Sequence, residues 1–185
     1  MTTTLFTNAH IATGEPGSTA ASTLPLQDIL VTDGVFTAFG PGLAQQYEAQ
    51  GGDLAAIEVV DLGGKLVCPP FCDTHLHLDY VFTARKPGAV NESGTLFEGI
   101  QRWSETKSDL TVDEIKQRAK IGIKKEMLHG VQLIRSHADV TDPNLTSLKA
   151  LLELKEELKD TVTLQIVSFP QEGMYSYEGP HGESG

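Results

Sequence analysis

His75-Leu76-His77 is the group whose residue types and spacing most directly imply chemistry. Residues two apart on a β-strand project from one face, so both imidazoles can reach a single ion while Leu76 packs on the other side. Imidazole suits zinc, iron and other borderline divalent cations, and two such ligands leave coordination positions for further side chains and a water. Asp79 continues the same-face series and can orient a ligand from behind by hydrogen bonding; a solvated loop carboxylate is the plainer alternative. His137, in Arg135-Ser136-His137-Ala138-Asp139, falls at the predicted end of a second strand, where it either lines the same rim or is an ordinary hydrogen-bonded histidine. Gln171, in Phe169-Pro170-Gln171-Glu172-Gly173, offers a donor and an acceptor on one planar group that can pair with the amide-like edge of a small heterocycle. A loop glutamine is otherwise simply solvated. Glu172 can act as acid or base in principle, with nothing in the sequence to set it apart from a loop carboxylate.

The elements that must hold these residues fall into two unlike parts. Residues 1–64 read as a small β unit in which Leu26–Val31 and Val35–Phe39 flank Asp33-Gly34, a two-residue hairpin signal. Ile57–Val60 is a further strand, and Gly14–Ser22 and Tyr47–Asp53 read as loops. From Lys65 to residue 178 strands alternate with longer helical stretches, the pattern of parallel β-α-β units, and residues 179–185 form a Gly-rich tail. Leu66–Leu78 supplies the first strand, and Leu96, Phe97, Ile100 and Trp103 fall at helical spacing. Thr111 and Glu114 form a capping box for a second helix that Gly130 ends. Val131–Ile134 begins the second strand. Asp142-Pro143 opens a helix carrying Leu145, Leu148, Leu151, Leu152 and Leu158, and Thr161–Phe169 is the third strand. The fold class is therefore α/β, and such folds build their chemistry at the C-terminal ends of the strands, where His75 and His77 fall.

Composition sets the outer limits. Hydrophobic residues make up 39% and charged residues 21% of 185 residues, with 18 Gly and 9 Pro, which is globular. Fourteen Lys and Arg against 25 Asp and Glu give a charge of −11, which repels a phosphate backbone or an anionic membrane, so neither nucleic acid nor membrane is an expected partner. The opening residues lack a secretion signal and no apolar run approaches a membrane span, so a cytoplasmic location is expected. The two cysteines, Cys68 and Cys72, are too close for an ordinary disulfide and too few for a cysteine zinc site, and read as small core residues. Phosphate-loop, dinucleotide and nucleophile-elbow motifs are absent, as is the Pro-Cys-x-x-Cys signature of nucleic-acid deaminases.

The stretch Leu66–Asp79, following a β unit, resembles the barrel entry of the amidohydrolase superfamily. Three further stretches, Ser93–Ile100, Arg135–Val140 and Leu164–Gly173, are similar to bacterial cytosine deaminase in order and spacing. The resemblance runs from about Leu66 to Tyr177. It implies a TIM-type (β/α)8 barrel preceded by a β-sandwich segment, with His75 and His77 as the first metal ligands, Gln171 reading the pyrimidine edge, and Leu96 and Phe169 beside the ring. The implied reaction is hydrolytic deamination, in which divalent iron or zinc activates water for attack on the carbon bearing the exocyclic amine. Relatives with the same strand signatures act on isocytosine, creatinine or triazine amines.

A complete barrel takes ~250 residues, whereas about 120 follow Lys65, enough for three strands. The family's third histidine ligand, proton-shuttling glutamate and metal-binding aspartate belong to later strands, and His181 in the tail matches none of them. The expectation is an N-terminal portion whose activity needs a C-terminal half or partner chain. The alternative is a truncated, inactive fragment. An open sheet edge further predicts oligomerisation or poor solubility.

Overall fold

The structure, a computed structural model, describes residues 2–12 and 25–173. The loop expected at Gly14–Ser22 and the tail with His181 lie outside those residues. The described chain divides between Pro69 and Pro70 into two compact units. No helix among the described residues is long and apolar enough to cross a membrane.

In the first unit, strands β1 (Thr3–Ile11), β2 (Leu26–Thr32), β3 (Val35–Gly40), β4 (Glu58–Asp61) and β5 (Leu66–Val67) form one mixed sheet. Its order is β3-β2-β1-β4, with β5 also pairing β1; β2 runs antiparallel to β1, whereas β4 and β5 run parallel to it. The hairpin closes as the sequence predicts, with positive φ at Asp33 (49°) and Gly34 (78°), the requirement of a type I′ turn. The central strand β1 was not singled out by the sequence, because its alternation is diluted by threonines and an asparagine. Leu5 and Ala9 of this strand are wholly buried with Ile29 and Leu43 nearby in burial. Asp28 is also buried, and its carboxylate accepts from Asn8 N (3.2 Å) and Leu43 N (2.9 Å), which satisfies both oxygens. The expected loop at Tyr47–Asp53 is only partly a loop: Leu43–Ala49 forms a short helix, α1, docked through Leu43.

In the second unit, β6 (Phe71–Leu76), β7 (Val131–Asp139) and β8 (Thr163–Phe169) form a three-stranded parallel sheet in chain order. The single strand expected over Leu66–Leu78 is thus two strands in two sheets. Pro69 and Pro70 cannot donate ladder hydrogen bonds, and the break falls on them. Helices α2 (Leu96–Lys107), α3 (Val112–Leu128) and α4 (Thr146–Glu157) occupy the connections. Ile134 and Ala138 of β7, Leu164 of β8, Ile115 and Ile123 of α3, and Leu151 and Leu154 of α4 make the core. The Thr111–Glu114 capping box forms with both hydrogen bonds, and Gly130 follows the helix at φ 86°. Helix α4 begins three residues after Pro143 because Leu145 adopts a left-handed φ of 52°. Asp142 still serves the start of that helix, accepting from Thr146 N at 2.9 Å. Cys68 and Cys72 are both exposed, correcting the expectation of core positions. Cys72 lies on β6, an edge strand of its sheet, and Cys68 lies between two strands of different sheets.

Candidate active site

His75 leaves β6 near its C-terminal end and His77 follows one residue past it, so the strand's two-residue alternation aims both rings the same way. Their Nε2 atoms are 3.3 Å apart. Two nitrogens each ~2.0–2.1 Å from one ion at about the tetrahedral angle have this separation, so the donor pair fits a borderline divalent cation. Without an ion, one neutral ring can donate its N–H to the other. Asp73 stiffens the approach, its carboxylate accepting from His75 N at 2.9 Å.

The other rings gather around this pair. His137, on the neighbouring strand, stacks on His75 at 4.1 Å between centroids, and Tyr80 stacks on His77 at 4.7 Å. Phe169, at the end of β8, meets His77 edge-on at 5.3 Å. His137 is therefore beside the pair, but it adds no third donor: among the described residues no group of three or more His, Cys, Asp or Glu side chains is arranged to hold a metal ion. Burial, followed by the nearby His75 charge, holds the pKa of both His77 and His137 below the usual imidazole value. Neutral rings are the form that binds a metal.

A cavity of about 670 Å³ opens against His75 and His77, within the range of small-molecule sites. Leu96, Phe169 and Gln171 line it, as do Tyr80, Asn91 and Trp103. Leu96 itself is largely exposed at 73%. Its loop is held in place by Asn91, which accepts from Gly94 N and donates to Thr95 O, and by Glu98, which accepts from Glu92 N and Ser93 N. The Ser93 hydroxyl and backbone, then Glu92, lower the pKa of Glu98 to about 2, so the clamp stays charged.

Asp79 takes a different position from the one anticipated. It is wholly buried, and its Oδ2 accepts from the backbone N–H of Asp139 at 2.9 Å, not from a histidine ring. Burial raises its pKa to about 6, opposed by that backbone N–H. The folded chain thus retains a proton that the unfolded chain, at the ordinary 3.8, gives up. Stability from this source is present below pH ~4 and is lost as pH rises through ~6, about 3 kcal/mol in all. Asp79→Asn keeps an acceptor and removes the charge. Urea unfolding is expected to show this variant gaining on the parent between pH 4 and pH 7; a difference independent of pH would contradict the assignment.

Two side chains that the sequence left without a role, Asp139 and Lys107, form a buried network behind Trp103 of the cavity wall. Asp139 is buried, and its Oδ2 accepts from Trp103 Nε1 (2.7 Å) and Lys107 Nζ (3.3 Å), while Oδ1 accepts from the Thr141 backbone and hydroxyl (2.8 and 2.6 Å). Burial would raise its pKa, but Thr141, Trp103 and Lys107 together hold it below the ordinary value. Lys107 also donates to Thr141 Oγ1 and to Glu172, the residue after Gln171. The available signal for Asp139 was its place two residues after His137 at the end of a strand, where alternation puts both on one face.

A mixed α/β unit carries paired imidazoles at a parallel strand's end, facing a cavity. The amidohydrolase family profile matches residues 58–184, and the chain belongs to that family. It is 40% identical to the 5-methylcytosine deaminase of Klebsiella pneumoniae, whose structure holds 5-fluorocytosine, with a TM-score of 0.75 over 96% of this chain and 38% of that one. It is 35% identical over 120 residues to N-isopropylammelide isopropyl amidohydrolase of Pseudomonas sp. (strain ADP), covering 63% of this chain. It is 27% identical over 152 residues to pterin deaminase of Rhizobium rhizogenes, covering 80% of this chain. The chain spans about a third of these curated relatives, 30% and 32% of their lengths.

Proposed function

We propose that this chain is the N-terminal portion of a cytosine-deaminase-like enzyme, with a β-sandwich segment leading into the first three units of a (β/α)8 barrel. In this reading it hydrolyses the exocyclic amine of a cytosine-like ring to release ammonia. The observation that carries the reading is the 3.3 Å Nε2 separation of His75 and His77 at the edge of the cavity lined by Leu96, Phe169 and Gln171. His75 and His77 would hold a divalent ion, iron or zinc, which when bound supplies Lewis-acid chemistry and a nucleophile at neutral pH. Phe169 and Leu96 pack beside the ring as parts of the cavity wall. The Gln171 carboxamide donates and accepts along the ring's amide-like edge, which fixes the amine-bearing carbon toward the histidines. Tyr80 and His137 hold the two imidazoles by stacking.

Among the described carboxylates near the histidines, Asp79 and Asp139 are buried, Asp73 accepts from His75 N, and Glu172 is paired with Lys107. The proton shuttle and remaining ligands accordingly come from outside these residues, from a C-terminal half or a partner chain, and the isolated chain is expected to release no ammonia from cytosine. Ammonia release by the isolated chain that His75→Ala abolishes would contradict this. In the active assembly, Gln171→Ala leaves the ring's polar edge unpaired and is expected to weaken cytosine binding about 10- to 100-fold. Unchanged affinity by calorimetry would remove Gln171 from the recognition role.

The similarity to N-isopropylammelide isopropyl amidohydrolase supports a second reading, cleavage of an N-alkyl amine from a triazine. Turnover of an N-isopropyl triazine in preference to cytosine, isocytosine or creatinine would select it.

A further inference from the structure

We propose that Lys107 is a positioning residue that, through Glu172, sets where the Gln171 carboxamide stands against the wall of the cavity. The inference rests on the reading of Gln171 given above and extends it to residues that do not line the cavity.

Leu96, Ile100 and Trp103 line the cavity from one stripe of α2, and Lys107, four residues after Trp103, is the next position on that stripe. Its side chain is only 12% exposed. An ammonium has three donors, and here all three are used: Asp139 Oδ2 at 3.3 Å, Thr141 Oγ1 at 2.6 Å and Glu172 Oε1 at 2.7 Å. Asp139 and Thr141 are fixed points, since Asp139 is buried and held by Trp103 and by Thr141 itself.

Glu172 is the partner whose position depends on the tether. It sits in the turn after β8, which Gly173 N closes onto Pro170 O at 3.0 Å. Gln171 and Glu172 are adjacent in that turn, and Gln171 lines the cavity whereas Glu172 turns to Lys107. One short, partly buried ion pair thereby joins the turn to the helix that also lines the cavity. A carboxamide reads a ring edge only when its plane and reach are set, and a drift of one ångström in a positioning group is costly. Glu172, which as a sequence element had the makings of an acid or base, is assigned a tether instead.

The test is nitrogen-15 relaxation on the full chain, without substrate, for the parent, Glu172→Gln, Lys107→Arg and Glu153→Gln, the last breaking an exposed pair with Lys116. Backbone order parameters at Gln171 and Glu172 are expected to fall from ~0.85 to below ~0.6 in Glu172→Gln. They should stay near the parent values in Lys107→Arg and Glu153→Gln, with unfolding midpoints of Glu172→Gln and Glu153→Gln alike. Unchanged order at Gln171 in Glu172→Gln, or an equal fall in Glu153→Gln, would overturn the tether. Normal cytosine binding by Gln171→Ala in the active assembly would instead overturn the recognition reading, which the relaxation data do not touch.

Discussion

His75→Ala and His77→Ala are each expected to lower the affinity of this chain for zinc by at least about a hundredfold, measured by competition with a chromophoric chelator. Loss of a residue that merely orients a ligand costs ~10- to 100-fold, and these substitutions remove a donor outright. The 3.3 Å approach of the two Nε2 atoms makes them interdependent, so the double variant should bind little more weakly than either single one. Cys72→Ser belongs beside them, because Cys72 is exposed and its thiol is an alternative zinc donor. Affinity that follows the thiol and ignores the imidazoles would remove the site. His137→Ala should have a much smaller effect, since its ring stacks on His75 and contributes no donor.

Asp139→Ala is expected to be the most damaging single substitution to stability, about 3–5 kcal/mol by urea unfolding. It would strand the Trp103 indole N–H and the Thr141 donors around an emptied buried site and leave Lys107 with Glu172 as its one carboxylate partner. Glu153→Gln, at an exposed pair on α3 and α4, should change stability by no more than about 0.5 kcal/mol. Equal effects of Asp139→Ala and Glu153→Gln would mean that the buried network contributes nothing.

These expectations differ in how far the sequence announced them. The His75 and His77 spacing was readable because side-chain alternation in a strand is local, and the Asp33-Gly34 turn and Thr111–Glu114 cap were readable for the same reason. The Asp139 network was not, since Lys107 and Trp103 lie 32 and 36 residues away and meet it only when α2 packs on the end of β7. Strand β1 was missed because threonines and an asparagine interrupt its apolar alternation. The division at Pro69 and Pro70 was hidden by β-prone residues on both sides, which read as one strand until the partner sheets are known. Asp79 was legible as a residue on the histidines' face that can orient a ligand, but not as the buried acceptor for a backbone N–H sixty residues away.

The proposed chemistry requires the paired imidazoles to hold an ion. Crystals of the full chain grown with zinc and measured on both sides of its absorption edge give the most direct answer. An anomalous peak ~2.0–2.1 Å from Nε2 of both His75 and His77, facing the cavity that Gln171 lines, is the expected result. A peak elsewhere, or none with the two rings joined only by a hydrogen bond, would contradict it.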